Sequence, residues 1–281
     1  MQEFSFLILN ACERILLNEN ICTDMRIRIN HIVNAIFGRS FKSENPVSNF
    51  TNVQQLREIM PALLEGYLSE AEMPNSLLLL SPPPANDSNL FESDLEHARK
   101  ALESKDDERF LQAARDADLS FPFAVKSFEP IIGIAISESN TPKLYVLMRR
   151  VMTDAGLSTY AAKNHYKRER PFMVNNQKTC TPDQENILYK VGSFPSGHAA
   201  VGWAWSLVLI KLFPEKEKEI LKRGYDFGES RVVCNAHWDS DVKMGRVMGQ
   251  AAVDCLWVNS AFLTDWNSVE KEIRQILDSN S

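Results

Sequence analysis

No apolar run in this chain reaches membrane-spanning length. The longest, Ala199 to Ile210, holds about a dozen residues before Lys211, against the roughly 20 that a spanning helix needs, so no transmembrane helix is read. An excess of positive charge is also missing. The formal net charge is −6, and the only dense cationic run is Lys163 to Arg170; this argues against a nucleic-acid partner and for a small anionic ligand. Cysteine is scarce, and five is an odd count that does not describe a disulfide framework. Cys180 and Cys234 form a pair if the compartment is oxidising, and are buried free thiols otherwise. A secretory signal is not legible: Met1-Gln2-Glu3-Phe4 opens with an acid where a basic start is needed, and Asn10, Glu13 and Arg14 soon interrupt the apolar Phe6 to Leu9. Strand signals are few, and there is no internal repeat or low-complexity tract.

What is present fits one domain with an appendage. With 281 residues, 44% of them hydrophobic, the chain can build a sizeable core. Helical spacing recurs at Leu95, Ala98 and Leu102, and at Phe110, Ala113, Ala114 and Ala117. Thr141-Pro142 opens a helix predicted to run toward Arg170, with Leu144, Leu147, Met148 and Val151 on one face. Another is predicted from Ala199 to Phe213, closed by Pro214, and a third over Trp238 to Val258. Residues 1–66 carry a helical pattern around Gln2 to Leu17 and another from Val53 to Leu68, kinked at Pro61, with no chemistry standing out. Pro82-Pro83-Pro84 marks a stop.

Three short stretches combine into one phosphate site: Lys163-x6-Arg170-Pro171, Pro195-Ser196-Gly197-His198, and Ser230-Arg231-x5-His237-x3-Asp241. In the second, Ser196 and Gly197 precede an apolar helical run, which presents free backbone N–H groups and the positive end of a helix dipole to an anion. Taken alone it describes an ordinary capping serine beside a surface histidine. His237 and Asp241, four apart, share one face if they lie on a helix. A carboxylate on one ring nitrogen leaves the other with its lone pair free to attack phosphorus. Arg231 grips phosphate oxygens bidentately, and Lys163 and Arg170 complete the charge shell around a transferring phosphoryl group. Each element alone has a commonplace explanation, a surface hydrogen bond or a solvated helix end; their joint occurrence does not.

In order and spacing these stretches resemble the signature of the phosphatidic acid phosphatase type 2 superfamily, which also includes the vanadium haloperoxidases. Gly192-Ser193-Phe194-Pro195-Ser196-Gly197-His198 and Ser230-Arg231-Val232-Val233-Cys234-Asn235-Ala236-His237-Trp238 are similar to the bacterial class A non-specific acid phosphatases. Leu80 to Ala85, Asp116 to Leu119 and Asp154 to Leu157 add to the likeness, which runs from about Tyr67 to Glu272. The resemblance implies an all-α fold, a compact multi-helix bundle of the acid phosphatase and vanadium-dependent haloperoxidase type, with the catalytic domain over residues 67–281 and a segment of unknown role over 1–66. It also implies a metal-free, vanadate-inhibited phosphomonoesterase in the periplasm or secreted, needing no cofactor, whose site takes phosphate or vanadate. By the same resemblance His237 is the nucleophile, Asp241 orients it, and His198 protonates the leaving alcohol and then activates water. Lys163, Arg170, Ser196, Gly197 and Arg231 hold the phosphoryl oxygens. Spacing alone favours His237 only through Asp241; which histidine attacks comes from the resemblance.

Two positions depart from it. Ala199 stands where threonine often follows the histidine, and Asp239 where glutamine is common. A carboxylate at Asp239, if turned into the site, favours a protonated imidazole and shifts the acid limb of the pH profile. Rival readings are a vanadate-dependent haloperoxidase-like enzyme, a serine hydrolase using Ser196, His237 and Asp241, and a catalytically silent phosphate-binding protein. The serine lacks the G-x-S-x-G elbow and would leave three cations without a role. The silent protein would not need both histidines. The expected partner is a small phosphate monoester; homo-oligomer formation is open, because apolar helical faces serve a dimer interface as readily as a core.

Overall fold

The computed structural model describes residues 63–103 and 107–279, and no strand occurs among them. The longer helices are α1 (Asn89–Glu103), α2 (Asp107–Ala117), α3 (Pro142–Leu157), α4 (Tyr160–Tyr166), α5 (Gly197–Leu212), α6 (Glu217–Val233), α7 (Asp239–Leu256) and α8 (Ser260–Ser279). The all-helical expectation is met among the described residues. The helix around Gln2 to Leu17 and most of the 1–66 segment lie outside them.

α5 organises the rest. Its sequence, GHAAVGWAWSLVLIKL, is apolar nearly all round, and such a helix has to be covered on every side. α6 and α7 pack along it and α3 covers a further face. Trp205 at its centre is fully buried, and its indole Nε1 donates to the Met148 carbonyl of α3 at 2.9 Å. Leu144, Leu147, Met148 and Val151 form the buried face of α3 as their spacing predicts. On α1 and α2 the small residues Ala98, Ala113 and Ala117 are buried, whereas Leu95 is 40% exposed.

Two predicted helices are broken where the chain finds better hydrogen bonds. The segment opening at Thr141-Pro142 does not continue unbroken to Arg170. The Ser158 and Thr159 hydroxyls donate to the carbonyls of Ala155 and Gly156, both at 2.7 Å, and the chain restarts as α4, which carries Lys163. Residues 63–68 are not helical. The backbone N–H groups of Tyr67 and Leu68 donate instead to the buried Asp154 carboxylate at 2.8 and 3.2 Å. Arg150 takes the carbonyls of Glu65 and Gly66 at 3.1 and 3.0 Å. With two of its amides and two of its carbonyls claimed by α3, this stretch gives up pairings that an i to i+4 ladder would need.

The closest approach of α5 and α6 depends on Gly202 and Gly224. A Cβ on Gly224 would collide with Ser206 Oγ and lie 2.8 Å from the Gly202 carbonyl oxygen, so the two backbones meet without side chains between them. Overpacking of this kind costs roughly 1–3 kcal/mol. Gly224→Ala is therefore expected to lower the melting temperature by several degrees, measured by circular dichroism; a variant melting with the wild type would show that the contact yields freely.

Candidate active site

The three motifs converge on the N-terminal end of α5. Ser196 is its cap, its hydroxyl accepting from the Ala199 N–H at 3.3 Å, so the first amides of the helix, at Gly197 and His198, have no partner within it. Gly245 of α7 lies against this cap: a Cβ there would strike the Ser196 carbonyl oxygen. Arg170 sits before Pro171 in an extended conformation, φ −88° and ψ 158°, as the residue ahead of a proline should. Arg231 is in the last turn of α6.

His237 does not lie on a helix with Asp241. It occupies the turn between α6 and α7, while Asp241 is in the first turn of α7. The Arg231 carbonyl accepts from the Ala236 and His237 N–H groups at 3.0 and 3.2 Å, and Asn235 makes the reversal with φ +60°, a conformation asparagine tolerates. Asn235 is tied to Asn175 at 2.8 Å and to the Gln177 carbonyl at 2.9 Å. Cys234 is bonded to Cys180, so of the two states open to these cysteines the structure has the disulfide. Asp241 then reaches back as a helix-capping carboxylate, accepting from the Trp238 N–H at 2.9 Å, and this brings its Oδ2 to 3.5 Å from His237 Nδ1.

The Asp241 carboxylate is completely buried and fully engaged. Besides Trp238, it accepts from Ser193 Oγ at 2.5 Å and from Arg168 Nη1 at 2.6 Å. Burial pushes its pKa up, and Arg168, Ser193 and the Trp238 amide pull it back. Arg168 also bonds Asp94 at 2.7 Å and Ser240 Oγ at 2.8 Å. Ser193 Oγ lies 3.3 Å from His237 Nδ1. Since its own proton goes to Asp241, it accepts there. The opposite ring nitrogen, His237 Nε2, faces Arg170 Nη1 at 2.9 Å, and a guanidinium only donates. His237 is thus neutral with Nδ1–H toward the acid and a lone pair on Nε2. Burial first, then the Arg170 charge, holds it well below the usual histidine range.

His198 faces the Ala117 carbonyl through Nε2 at 3.0 Å, so it carries a proton on that nitrogen. Burial and then Arg231 depress its pKa as well. Lys163 donates to the carbonyls of Gly192 and Ser193 at 3.0 and 3.4 Å, its pKa lowered by burial and by Arg170. Arg231 is 0% exposed, yet its Nε and Nη2 have no hydrogen-bond partner; the only other such buried side-chain atom among the described residues is Asn75 Nδ2. Unpaired buried donors on a charged group are costly, and acceptors of the kind a tetrahedral oxyanion carries would satisfy them.

All eight expected residues, Lys163, Arg170, Ser196, Gly197, His198, Arg231, His237 and Asp241, lie within this assembly. Asp239 does not join them: it pairs with Lys243 at 2.7 Å along α7, so the expected effect on an imidazole loses its geometric basis. The sequence reading passed over Arg168, Asp94, Ser193 and the Ala117 carbonyl. Arg168 stands among three other charged residues, Lys167, Glu169 and Arg170, and nothing in that run singles it out. Ser193 lies inside the quoted Gly192 to His198 string and was the one recoverable from it.

Comparison with known proteins gives the family. The family model of the PAP2 superfamily matches residues 144–263. A non-specific acid phosphatase of Salmonella typhimurium is 39% identical over 211 residues, covering 75% of this chain and 84% of the relative. One from Providencia stuartii is 39% identical with 75% and 85% covered, and an acid phosphatase of Zymomonas mobilis is 35% identical with 71% and 75% covered. Among solved structures, a bacterial vanadium-dependent iodoperoxidase is similar at 21% identity and a TM-score of 0.45, covering 74% of this chain and 64% of that one. The chain belongs to the PAP2 superfamily and, within it, to the bacterial non-specific acid phosphatases.

An oxyanion placed among Lys163, Arg170, Arg231 and the two imidazoles raises their depressed pKa values, so binding takes up protons. Sulfate stays a dianion from pH 5 to 7, and its uptake reports the protein's groups alone. The rise in melting temperature caused by sulfate is expected to be larger at pH 5 than at pH 7. Asp154, pushed up to about 7 by burial, also makes the fold more stable at pH 5 than at pH 7, but it does so with and without sulfate and cancels in the difference. An equal rise at both pH values would count against the cationic seat.

Proposed function

We propose, from the premise that the chain is a PAP2-type acid phosphatase, that it hydrolyses phosphate monoesters through a phosphohistidine on His237, with no metal required. The observation that carries this reading is the pairing of an accepting His237 Nε2 with unpartnered donors on the buried Arg231: a nucleophile's lone pair beside a seat for phosphoryl oxygens. Lys163, Arg170, Arg231, the Ser196 hydroxyl and the first amides of α5 take the three non-bridging oxygens, and their cations neutralise charge as it spreads over them.

In the first step Nε2 attacks phosphorus, the bond from phosphorus to the ester oxygen breaks, and His198 gives its proton to the departing alkoxide. The positive charge that develops on the His237 ring is met by Asp241 and Ser193 at Nδ1. In the second step His198 takes a proton from water, the oxygen attacks phosphorus, and the bond to Nε2 breaks to release phosphate. Depression of the His237 pKa keeps its lone pair available in acid, where an ordinary histidine, with a pKa of about 6.5, would be protonated. His198 needs the opposite state, and its pKa is low too. Protonation of His198 in the free enzyme therefore requires acidic solution.

The catalytic unit is assigned to residues 67–281. No described helix is long and apolar enough to cross a membrane. The Cys180–Cys234 bond supports an oxidising compartment outside the cytoplasm.

Hydrolysis of p-nitrophenyl phosphate with EDTA present tests the reading. Wild-type turnover should persist, be blocked by vanadate, and fall at least a thousandfold in His237→Ala; a folded wild type without turnover would overturn it. Across pH 5 to 8, kcat/KM should decline as the pH rises, since the fraction of protonated His198 falls, and His198→Asn should flatten that slope. A wild-type profile rising toward pH 8 would remove His198 as the acid.

A further inference from the structure

The site is differentiated above the phosphate seat. The cavity that opens over Lys163, Arg170, His198 and His237 has a volume of about 80 Å³, and the rest of its wall is Leu119, Tyr160, Ile187, Leu188, Val191 and Val201 with Gly156 and Gly197. The four ionisable groups other than the Tyr160 phenol are those already engaged with the phosphoryl group. Among the described residues no carboxylate, side-chain amide or further cation lines the wall, and the Tyr160 phenol is its one side-chain hydroxyl, so a second phosphate would meet no cation there and most hydroxyls of a sugar or an inositol would lose their water without a partner in exchange.

The collar is held in place by the catalytic machinery itself. Ile187 and Leu188 come from the short helix Glu185–Leu188. Arg170 Nε donates to the Leu188 and Val191 carbonyls at 3.0 and 3.2 Å, and its Nη2 to Val191 at 3.1 Å. Glu185 anchors the near end by accepting from the Thr179 N–H at 2.8 Å and from Lys178 at 3.1 Å, next to the Cys180–Cys234 bond. An arginine that grips phosphate with one edge thus fixes the apolar rim with the other. Ile187 stands 39% exposed at the outer edge, an isoleucine that none of the described residues covers fully.

Resting on the phosphatase reading, the geometry points to monoesters whose alcohol is apolar, alkyl or aryl, as the substrates this site accepts best, the ester group packing against Leu119, Ile187, Leu188, Val191 and Val201. Discrimination comes from what the wall lacks as much as from what it offers: a wall with a single phenol leaves most polar groups of a sugar unpaired.

The experiment compares kcat/KM, which covers the steps up to alcohol release, for methyl, ethyl, butyl and hexyl phosphate and for glucose 6-phosphate, all esters of primary alcohols or methanol. Along the alkyl series it should rise about fourfold for each methylene that enters the collar, then level off, and hexyl phosphate should exceed glucose 6-phosphate by more than tenfold. Ile187→Asp, a change at a half-open surface position, should reduce the hexyl to methyl ratio severalfold, and Ile187→Leu should keep it; thermal melts of both check folding. A flat series with turnover intact, a preference for glucose 6-phosphate, or an unaltered ratio in Ile187→Asp would overturn the collar and leave the phosphatase standing. Absence of turnover on every ester would instead overturn the phosphatase reading, and the collar with it.

Discussion

Lys163, Arg170 and Arg231 are buried side by side, with the Asp241 carboxylate acting on the first two and Asp116 on the third, and the rest of the site exists to make that tolerable. Charges removed from water demand partners. Lys163 and Arg170 find backbone carbonyls, whereas Arg231 retains two unpaired nitrogens. Asp241 cannot neutralise all three, because Arg168 already holds it. The remaining positive charge suits the pocket to a dianionic group, and it adds to burial, the larger cause, in holding both imidazoles neutral. In the proposed mechanism, substrate affinity and the protonation state of the nucleophile therefore share an electrostatic cause.

Asp241 joins this charge problem to the scaffold. It caps α7, accepts from Ser193 in the segment leading to α5, and through Arg168 is connected to Asp94 on α1. A single carboxylate so fixes the relative placement of three parts of the chain while orienting His237. The burial of α5 on all sides supplies the rigidity behind it, and the glycines at 202, 224 and 245 let α6 and α7 come close enough to bring Arg231 and Asp241 to the same helix end. Arg170 continues the pattern outward, since the carbonyls it satisfies belong to the residues that form the rim of the cavity.

Much of this was legible in the residues. The helical faces of α3 and the run of α5 follow from spacing, and the cap at Ser196 follows from a serine and glycine ahead of an apolar stretch. Where expectation and structure part, a specific hydrogen bond is responsible. Asp154 captures the amides of Tyr67 and Leu68 and prevents a helix there; the hydroxyls of Ser158 and Thr159 interrupt the helix after Leu157. His237 and Asp241 meet, but through a capping turn and not along a helical face. Arg168 and Asp94 were invisible because an ion pair 74 residues apart in sequence leaves no periodic trace.

The sequence by itself determined the chemistry: which cations, imidazoles and carboxylate are available, and that helices would carry them, since residue type and short-range spacing set charge, hydrogen-bonding capacity and local conformation. Only the tertiary structure decided which nitrogen of each histidine bears the proton, that Cys180 meets Cys234, that Asp239 turns away to Lys243, and that an apolar collar rises over the phosphate seat. Those outcomes depend on distances between groups remote along the chain, and such distances come into being only when the helices pack.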